Sequence, residues 1–378
     1  MAERCIAVDI GGTKILVAEY DKEKGFGKIL RGDTPKGGKE AVIRAAVKQV
    51  QEYERTVGFA DGVRPDSIGM GVNGLIDPVR GYWLGYTPEE EDIDAAAIVY
   101  EAFPGIRLQI DNDVKCTVVA ENEFGNGRHA RDMVYINVGT GLAAGMIVCG
   151  KLVRGKDGFA GEVGFTQLTD PRTAALFDAE SAIVQKASVT SGRGEAFSEE
   201  AFPLSGSEEA FSQGNFPVSG REIIRPGLDF PVTEDEEGRD SDMEMTASGM
   251  GLSYAAKKYA RYFPDSVLCK ITGRPVNGRD VTQGAAEGDA FAKFLLRALE
   301  YSVTRLIEDF VCILSPERVI LGGGLVRTEE MLERIYNGMS LKTRQHLPGG
   351  LLQTGLDTDL AGLYGAAALG LGLRENYQ

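Results

Sequence analysis

The sequence predicts an α/β protein made of two similar lobes facing one cleft, and three observations carry that expectation. Residues 5–8 form a short apolar run ending in Asp9, followed by Gly11-Gly12-Thr13-Lys14 and a second apolar run to Tyr20, which reads as strand, tight turn, strand. The same layout returns at 133–138, Gly139-Thr140-Gly141 and 143–148. Strands at 106–110 and 319–321 each lead through a polar or glycine-rich turn into a helical segment, the alternation expected of an α/β fold.

The intervening elements follow from periodicity. Residues 39–53 place Val42, Ala46, Val50 and Tyr53 on one helical face. A strand at 67–72 runs into the turn-rich segment Asn73-Gly74-Leu75-Ile76-Asp77-Pro78. Residues 114–124 read as a helix stopped by Gly125. A long apolar-faced helix spans 289–314, ended by Pro316, and a small-residue helix spans 360–371. Residues 185–245 differ in composition and hold a tandem repeat, Glu195-Ala196-Phe197-Ser198 recurring as Glu209-Ala210-Phe211-Ser212. One repeat pair is too short for a solenoid, so a surface insertion or an arm that packs on a second subunit is expected.

Composition narrows the function. With 378 residues, 43% of them hydrophobic, the chain can bury two domains. A net charge of -15 and no Lys/Arg cluster argue against a nucleic-acid partner, which needs a basic patch for phosphate. The five cysteines lie at 5, 116, 149, 269 and 312, none in a CxxC, so reduced thiols are expected rather than a disulfide framework. Only two histidines occur, neither beside a cysteine, and no structural zinc site is expected. No segment has the roughly 20 apolar residues of a membrane helix, and no signal peptide opens the chain, so the expected location is cytoplasmic, with no membrane partner.

The chemistry sits in the turns. In Asp9-Ile10-Gly11-Gly12-Thr13-Lys14 the glycines allow backbone N–H groups close to phosphate oxygens, and the Thr13 hydroxyl adds a donor. Asp9 suits Mg²⁺ held through water, since magnesium takes carboxylate oxygens and keeps part of its hydration. A plain hairpin turn is the alternative; this is not a P-loop, because a strand follows rather than a helix. Gly139-Thr140-Gly141 offers a second phosphate turn. Gly322-Gly323-Gly324 would let an adenosine pack on bare backbone, or is simply a tight βα turn. Asp113, at a strand end before a helix, is the candidate general base for a sugar hydroxyl, or else the N-cap of that helix. Glu162, between small residues, could accept hydrogen bonds from two adjacent sugar hydroxyls.

Taken in order, these motifs resemble the ROK family (repressors, open reading frames and kinases). The resemblance rests on Asp9 to Lys14, the 69–78 segment, Asn112-Asp113, Gly139 to Gly141, Gly158 to Glu162, Glu287-Gly288-Asp289, the strand and glycines at 319–324, and Gly365 to Leu369. It implies an actin-like (ribonuclease H-like) ATPase fold. The first lobe would span 1–112, with the helix at about 360–378 packed back on it. The second would span 113–359, with an atypical insertion at about 185–275. It further implies ATP and Mg²⁺, phosphorylation of a hexose or N-acylated hexosamine with Asp113 as base, and Gly74, Asn112, Glu162 and Glu180 near the sugar. A homodimer is also implied. The sequence departs from the family pattern in having Phe165 for the usual histidine, Lys115 for an asparagine, Asn73 for a proline, and no cysteine-rich zinc motif. A transcriptional regulator would need a helix-turn-helix before the phosphate turn, and that turn begins at residue 9.

Overall fold

The computed structural model describes residues 3–166 and 243–373. The tandem repeat and Glu180 lie outside them.

Apolar strands pair into two sheets of the same design. The first contains β1 (Arg4–Ile10), β2 (Lys14–Asp21), β3 (Gly25–Phe26), β4 (Leu30–Asp33), β5 (Ser67–Val72) and β9 (Arg107–Asn112). Its order is β3-β2-β1-β5-β9, with β4 also on β2. The second contains β10 (Met133–Val138), β11 (Leu142–Val148), β12 (Lys151–Leu152), β13 (Arg318–Gly322) and β14 (Leu351–Gln353), in the order β12-β11-β10-β13-β14. In each sheet a hairpin supplies the antiparallel half and two later strands add in parallel. A small sheet, β6 (Ile76–Asp77), β7 (Tyr82–Trp83) and β8 (Ile93–Asp94), follows β5.

Period-two alternation decides what each face meets. In β1, Ile6, Val8 and Ile10 turn to one face and pack with α1 (Gly38–Thr56) and α2 (Ala95–Ala102). Cys5 and Ala7 turn to the other, where a second core joins α3 (Asp113–Phe124), the C-terminal helix, and Met133, Tyr135 and Ile320 of the second sheet. The two helices thus form a layer shared by both sheets, and Asp9, in phase with Cys5 and Ala7, points into that layer.

Among the described residues the remaining α-helices are α4 (Glu244–Ala247), α5 (Gly249–Tyr259), α6 (Gly278–Ala286), α7 (Ala290–Leu314), α8 (Glu329–Gly338), α9 (Leu341–Gln345) and α10 (Ala361–Gly370). Contacts divide the chain into one unit of residues 1–163, 309–332 and 342–378 and another of 164–308 and 333–341. Each sheet lies inside one expected lobe, but the compact units do not divide at 112/113. The reason is physical: α3, α10 and both sheets share one core.

Helix α10 approaches the first sheet through bare backbone. A Cβ at Gly69 of β5 would fall on the backbone of Ala366 and Gly370, and one at Gly370 on Cys5. Overpacking of this kind costs about 1–3 kcal/mol. Gly69→Ala is therefore expected to lower the unfolding free energy by that amount and with it the denaturant midpoint, and an unchanged midpoint would mean that the helix does not pack so closely.

Candidate active site

Strand register assembles the site. Asp9 of β1 pairs with Gly71 of β5, and Gly71 pairs with Asp111 of β9. These strands are parallel, so the row lies near their carboxyl ends, where α/β folds bind ligands. The bare Gly71 lies between neighbours: a Cβ there would be 3.6 Å from Asp113 Cα and 3.8 Å from the Gly362 carbonyl oxygen.

Asp9 is 9% exposed, and its carboxylate accepts no hydrogen bond among the described residues. Burial raises its pKa to about 6, against the pull of Lys14. Gly362, in the first turn of α10, leaves room for this carboxylate; a Cβ there would collide with it. Among the described residues no three His, Cys, Asp or Glu side chains gather to hold a metal. A hydrated Mg²⁺ fits Asp9 all the same, because magnesium is commonly held by one or two carboxylates, waters and substrate phosphates.

The turn above Asp9 is pinned from below and open above. Gly11 N–H donates to the Lys14 carbonyl at 3.0 Å, and Thr34 Oγ1 donates to the Gly11 carbonyl at 2.7 Å. Gly12 and Thr13 are exposed. Lys14 Nζ donates to the Asp359 carbonyl at 3.2 Å. The second hairpin repeats this closure, with Gly139 N–H donating to the Gly141 carbonyl at 3.0 Å and Thr140 exposed. Gly323 abuts it: at φ 96° its Cβ position would fall on the Val138 backbone, whereas Gly324 faces open space. Among the described residues no hydrogen bond joins the two hairpins.

Asp113 opens α3, but the cap of that helix is Asn112, whose Oδ1 accepts the Lys115 N–H at 3.0 Å. Asn112 Nδ2 donates to the Gly74 carbonyl at 3.1 Å. Much of the hydrogen-bonding capacity of Asn112 is thus used within the protein, and its place near a sugar would be structural. Asp113 is released from capping. Its Oδ1 accepts the Val114 N–H at 2.9 Å, and Oδ2 accepts nothing among the described residues. Asp113 keeps part of its surface open. Its pKa is raised to about 7, first by desolvation, then by Asp9 and Glu162, against Val114 N–H and Lys115.

Glu162 is half-buried and close enough to act electrostatically on both Asp113 and Lys115. It is positioned by Gly161, whose φ of 97° suits glycine and whose carbonyl accepts the Ala144 N–H of β11 at 2.8 Å. Phe165 is 44% exposed. Two members of the cluster escape sequence reasoning: Asp111, 1% exposed, and Arg154, whose Nη2 donates to Asp111 Oδ2 at 2.6 Å. Asp111 stands beside the recognised Asn112-Asp113 pair. Arg154 has no local signal, because the fold alone brings it to β9.

The sequence model of the ROK family matches residues 5–190 and 238–372, leaving out a shorter stretch than the 185–275 expected to be atypical. A glucokinase of Thermotoga maritima is 24% identical over 334 residues, covering 87% of this chain and 84% of that protein. A xylose repressor of Caldicellulosiruptor bescii is 37% identical over 102 residues, only 27% of this chain and 25% of the repressor. The crystal structure of a ROK family glucokinase from Streptomyces griseus in complex with glucose and AMPPNP superposes with a TM-score of 0.64 at 22% identity. The alignment covers 97% of this chain and 99% of that one. At that identity the likeness speaks for the fold, which is the mixed α/β actin-like ATPase fold. With the family pattern running through both sheets and the C-terminal helix, the chain belongs to the ROK family.

Proposed function

We propose that this protein is an ATP-dependent kinase of a hexose or hexose derivative, with Asp113 as general base. The observation that carries the reading is the state of Asp113. It is a carboxylate with one oxygen uncommitted, no capping duty, and a pKa of about 7. A base works best when its pKa lies near the operating pH.

In the proposed reaction Asp113 orients the acceptor hydroxyl and takes its proton as the hydroxyl oxygen bonds to the γ-phosphorus of ATP and ADP departs. Glu162, Gly74 and, outside the described residues, Glu180 would hold the sugar. Backbone N–H groups of Gly12 and Thr13 and of Thr140 and Gly141 would hold phosphate, in turns closed by the N–H groups of Gly11 and Gly139, with Gly323 and Gly324 under the adenosine. Mg²⁺ on Asp9 would neutralise phosphate charge.

The Thermotoga glucokinase and the glucose-bound Streptomyces structure support this reading. The repressor match favours a second one, a sugar-binding member without turnover. ATP consumption across hexoses, hexosamines, polyols and acidic sugars separates the two: a kinase consumes ATP with at least one of them, and a binding protein with none.

A pH dependence follows. Asp113 accepts a proton only when ionised, so kcat/KM is expected to level off above pH of about 7 and to fall about tenfold per unit below it. A profile flat from pH 5 to 8 would remove Asp113 from the role of base.

A further inference from the structure

The two hairpins are built alike, and their register shows which residue of the second answers Asp9. In the first hairpin Ile10 pairs with Ile15 as the last rung below the turn, and Asp9 pairs with Leu16 in the rung before it. In the second, Val138 pairs with Leu142 as the last rung, and Asn137 pairs with Ala143 before it. The parallel neighbours agree: Asp9 lies beside Gly71 of β5, and Asn137 beside Gly322 of β13. The chain leaving each of those neighbours also closes back in the same way. Asn73 N–H donates to the Ile10 carbonyl at 3.1 Å, and Leu325 N–H to the Val138 carbonyl at 3.3 Å. Asn137 is therefore the structural counterpart of Asp9.

Its surroundings place it at the site. Asn137 is in phase with Met133 and Tyr135, which pack into the core shared by both sheets, so it faces the layer that Asp9 also enters. Its carboxamide lies alongside the second phosphate turn: a Cβ at Gly139 would be 3.4 Å from Asn137 Nδ2 and 3.8 Å from Oδ1. Across the hairpin, Ala143 adds only a methyl group, and on the other flank Gly322 adds no side chain. The next residue of β11, Ala144, donates its N–H to the Gly161 carbonyl at 2.8 Å, which brings the segment carrying Glu162 to the same level. A structural asparagine beside a turn spends its amide on nearby backbone. Asn137 does not: it is half-buried, and among the described residues neither its Nδ2 nor its Oδ1 makes a hydrogen bond.

Two roles fit a carboxamide here: to join a metal shell through its oxygen, or to donate to phosphate through its nitrogen. The chemistry of the pair chooses between them. Magnesium is held by one or two carboxylates together with waters and substrate phosphates, and Asp9 already offers a carboxylate. A carboxylate at 137 would face the charge of a triphosphate, whereas an amide brings two N–H donors and no charge. We infer that Asn137 is a further nucleotide-binding residue, the uncharged partner of Asp9, whose side-chain N–H donates directly to a phosphate oxygen. The first hairpin then meets the phosphates through a metal and the second through a hydrogen bond. This inference rests on the kinase reading of the site.

The test separates nucleotide binding from sugar binding. Isothermal titration calorimetry at constant Mg²⁺ measures the affinity of wild type, Asn137→Ala and Asn137→Asp for AMPPNP, the imido analogue of ATP. The best-bound sugar of the panel is titrated separately, and thermal unfolding of each free protein checks its fold. Aspartate has the shape of asparagine, so Asn137→Asp keeps the packing even if Asn137→Ala loosens it. Loss of a hydrogen bond to a charged group is expected to weaken AMPPNP binding about tenfold or more in Asn137→Ala. Asn137→Asp is expected to weaken it further, because like charges then face each other. Sugar affinity is expected to stay unchanged in both, and in turnover the KM for ATP rises in the same order. AMPPNP affinity that is unchanged in Asn137→Ala, equal to wild type in Asn137→Asp, or lowered no more than sugar affinity overturns the inference; with turnover intact it leaves the kinase reading standing. Should AMPPNP affinity follow the expected order while the wild type phosphorylates no sugar, the inference holds and the kinase reading alone falls.

Discussion

Asp113→Asn is expected to lower sugar phosphorylation by roughly 10²–10⁴-fold, the usual contribution of a general base, while sugar binding largely survives. The amide keeps the shape of the carboxylate, and its oxygen can still accept the Val114 N–H, now at 2.9 Å. The substitution leaves the cap of α3 alone, since Asn112 provides it. Stability should move the other way. The folded-state pKa of Asp113 is about 7, above the roughly 3.9 of an unfolded aspartate, so between these values the folded protein binds the extra proton. Stability therefore falls as pH rises through that window, and the full cost of ionising Asp113 is present from about pH 7 upward. Asn removes that cost. At pH 8 Asp113→Asn is expected to unfold at a higher temperature than wild type, with the gap closing towards pH 4. A variant with near-normal turnover, or one less stable at pH 8, would make Asp113 a structural residue.

Arg154→Met carries the largest expected loss of stability. Asp111 is almost fully buried, and its partner reaches it at 2.6 Å. Removing one member of such a pair leaves an uncompensated charge, at a cost of about 3–5 kcal/mol; partial exposure of Arg154 favours the lower end. Replacing both members by neutral groups should recover much of the loss, so Arg154→Met with Asp111→Asn is expected to be more stable than Arg154→Met alone. Equal stability of the single and double variants in urea would show that Asp111 does not depend on Arg154.

Much of the fold is legible because it is local. The two hairpins announce themselves by apolar runs broken at glycine, and 67–72 and 133–138 are strands over the expected residues. Boundaries move where a polar residue belongs to a strand: β1 continues through Asp9 to Ile10, and β9 through Asp111 to Asn112. The ladder hydrogen bonds are made by backbone, so a carboxylate pointing into the helix layer does not end them. At the site, Asp9, Asp113 and Glu162 are readable from motif and spacing. Three features depend on tertiary proximity and leave no local trace. Gly362 clears space for Asp9 across more than three hundred residues of chain. Arg154 reaches Asp111, and Lys115 is buried among carboxylates. The division between cap and base at Asn112-Asp113 also needs the backbone, because either residue type suits a cap.

The most direct test is ³¹P NMR of the products formed from ATP, Mg²⁺ and the best sugar of the panel, with wild type and Asp113→Asn compared. The account predicts a sugar phosphate appearing in step with ADP in the wild type, and almost none with the variant although sugar still binds. ADP accompanied only by inorganic phosphate, or sugar phosphate formed equally well without the Asp113 carboxylate, would contradict it.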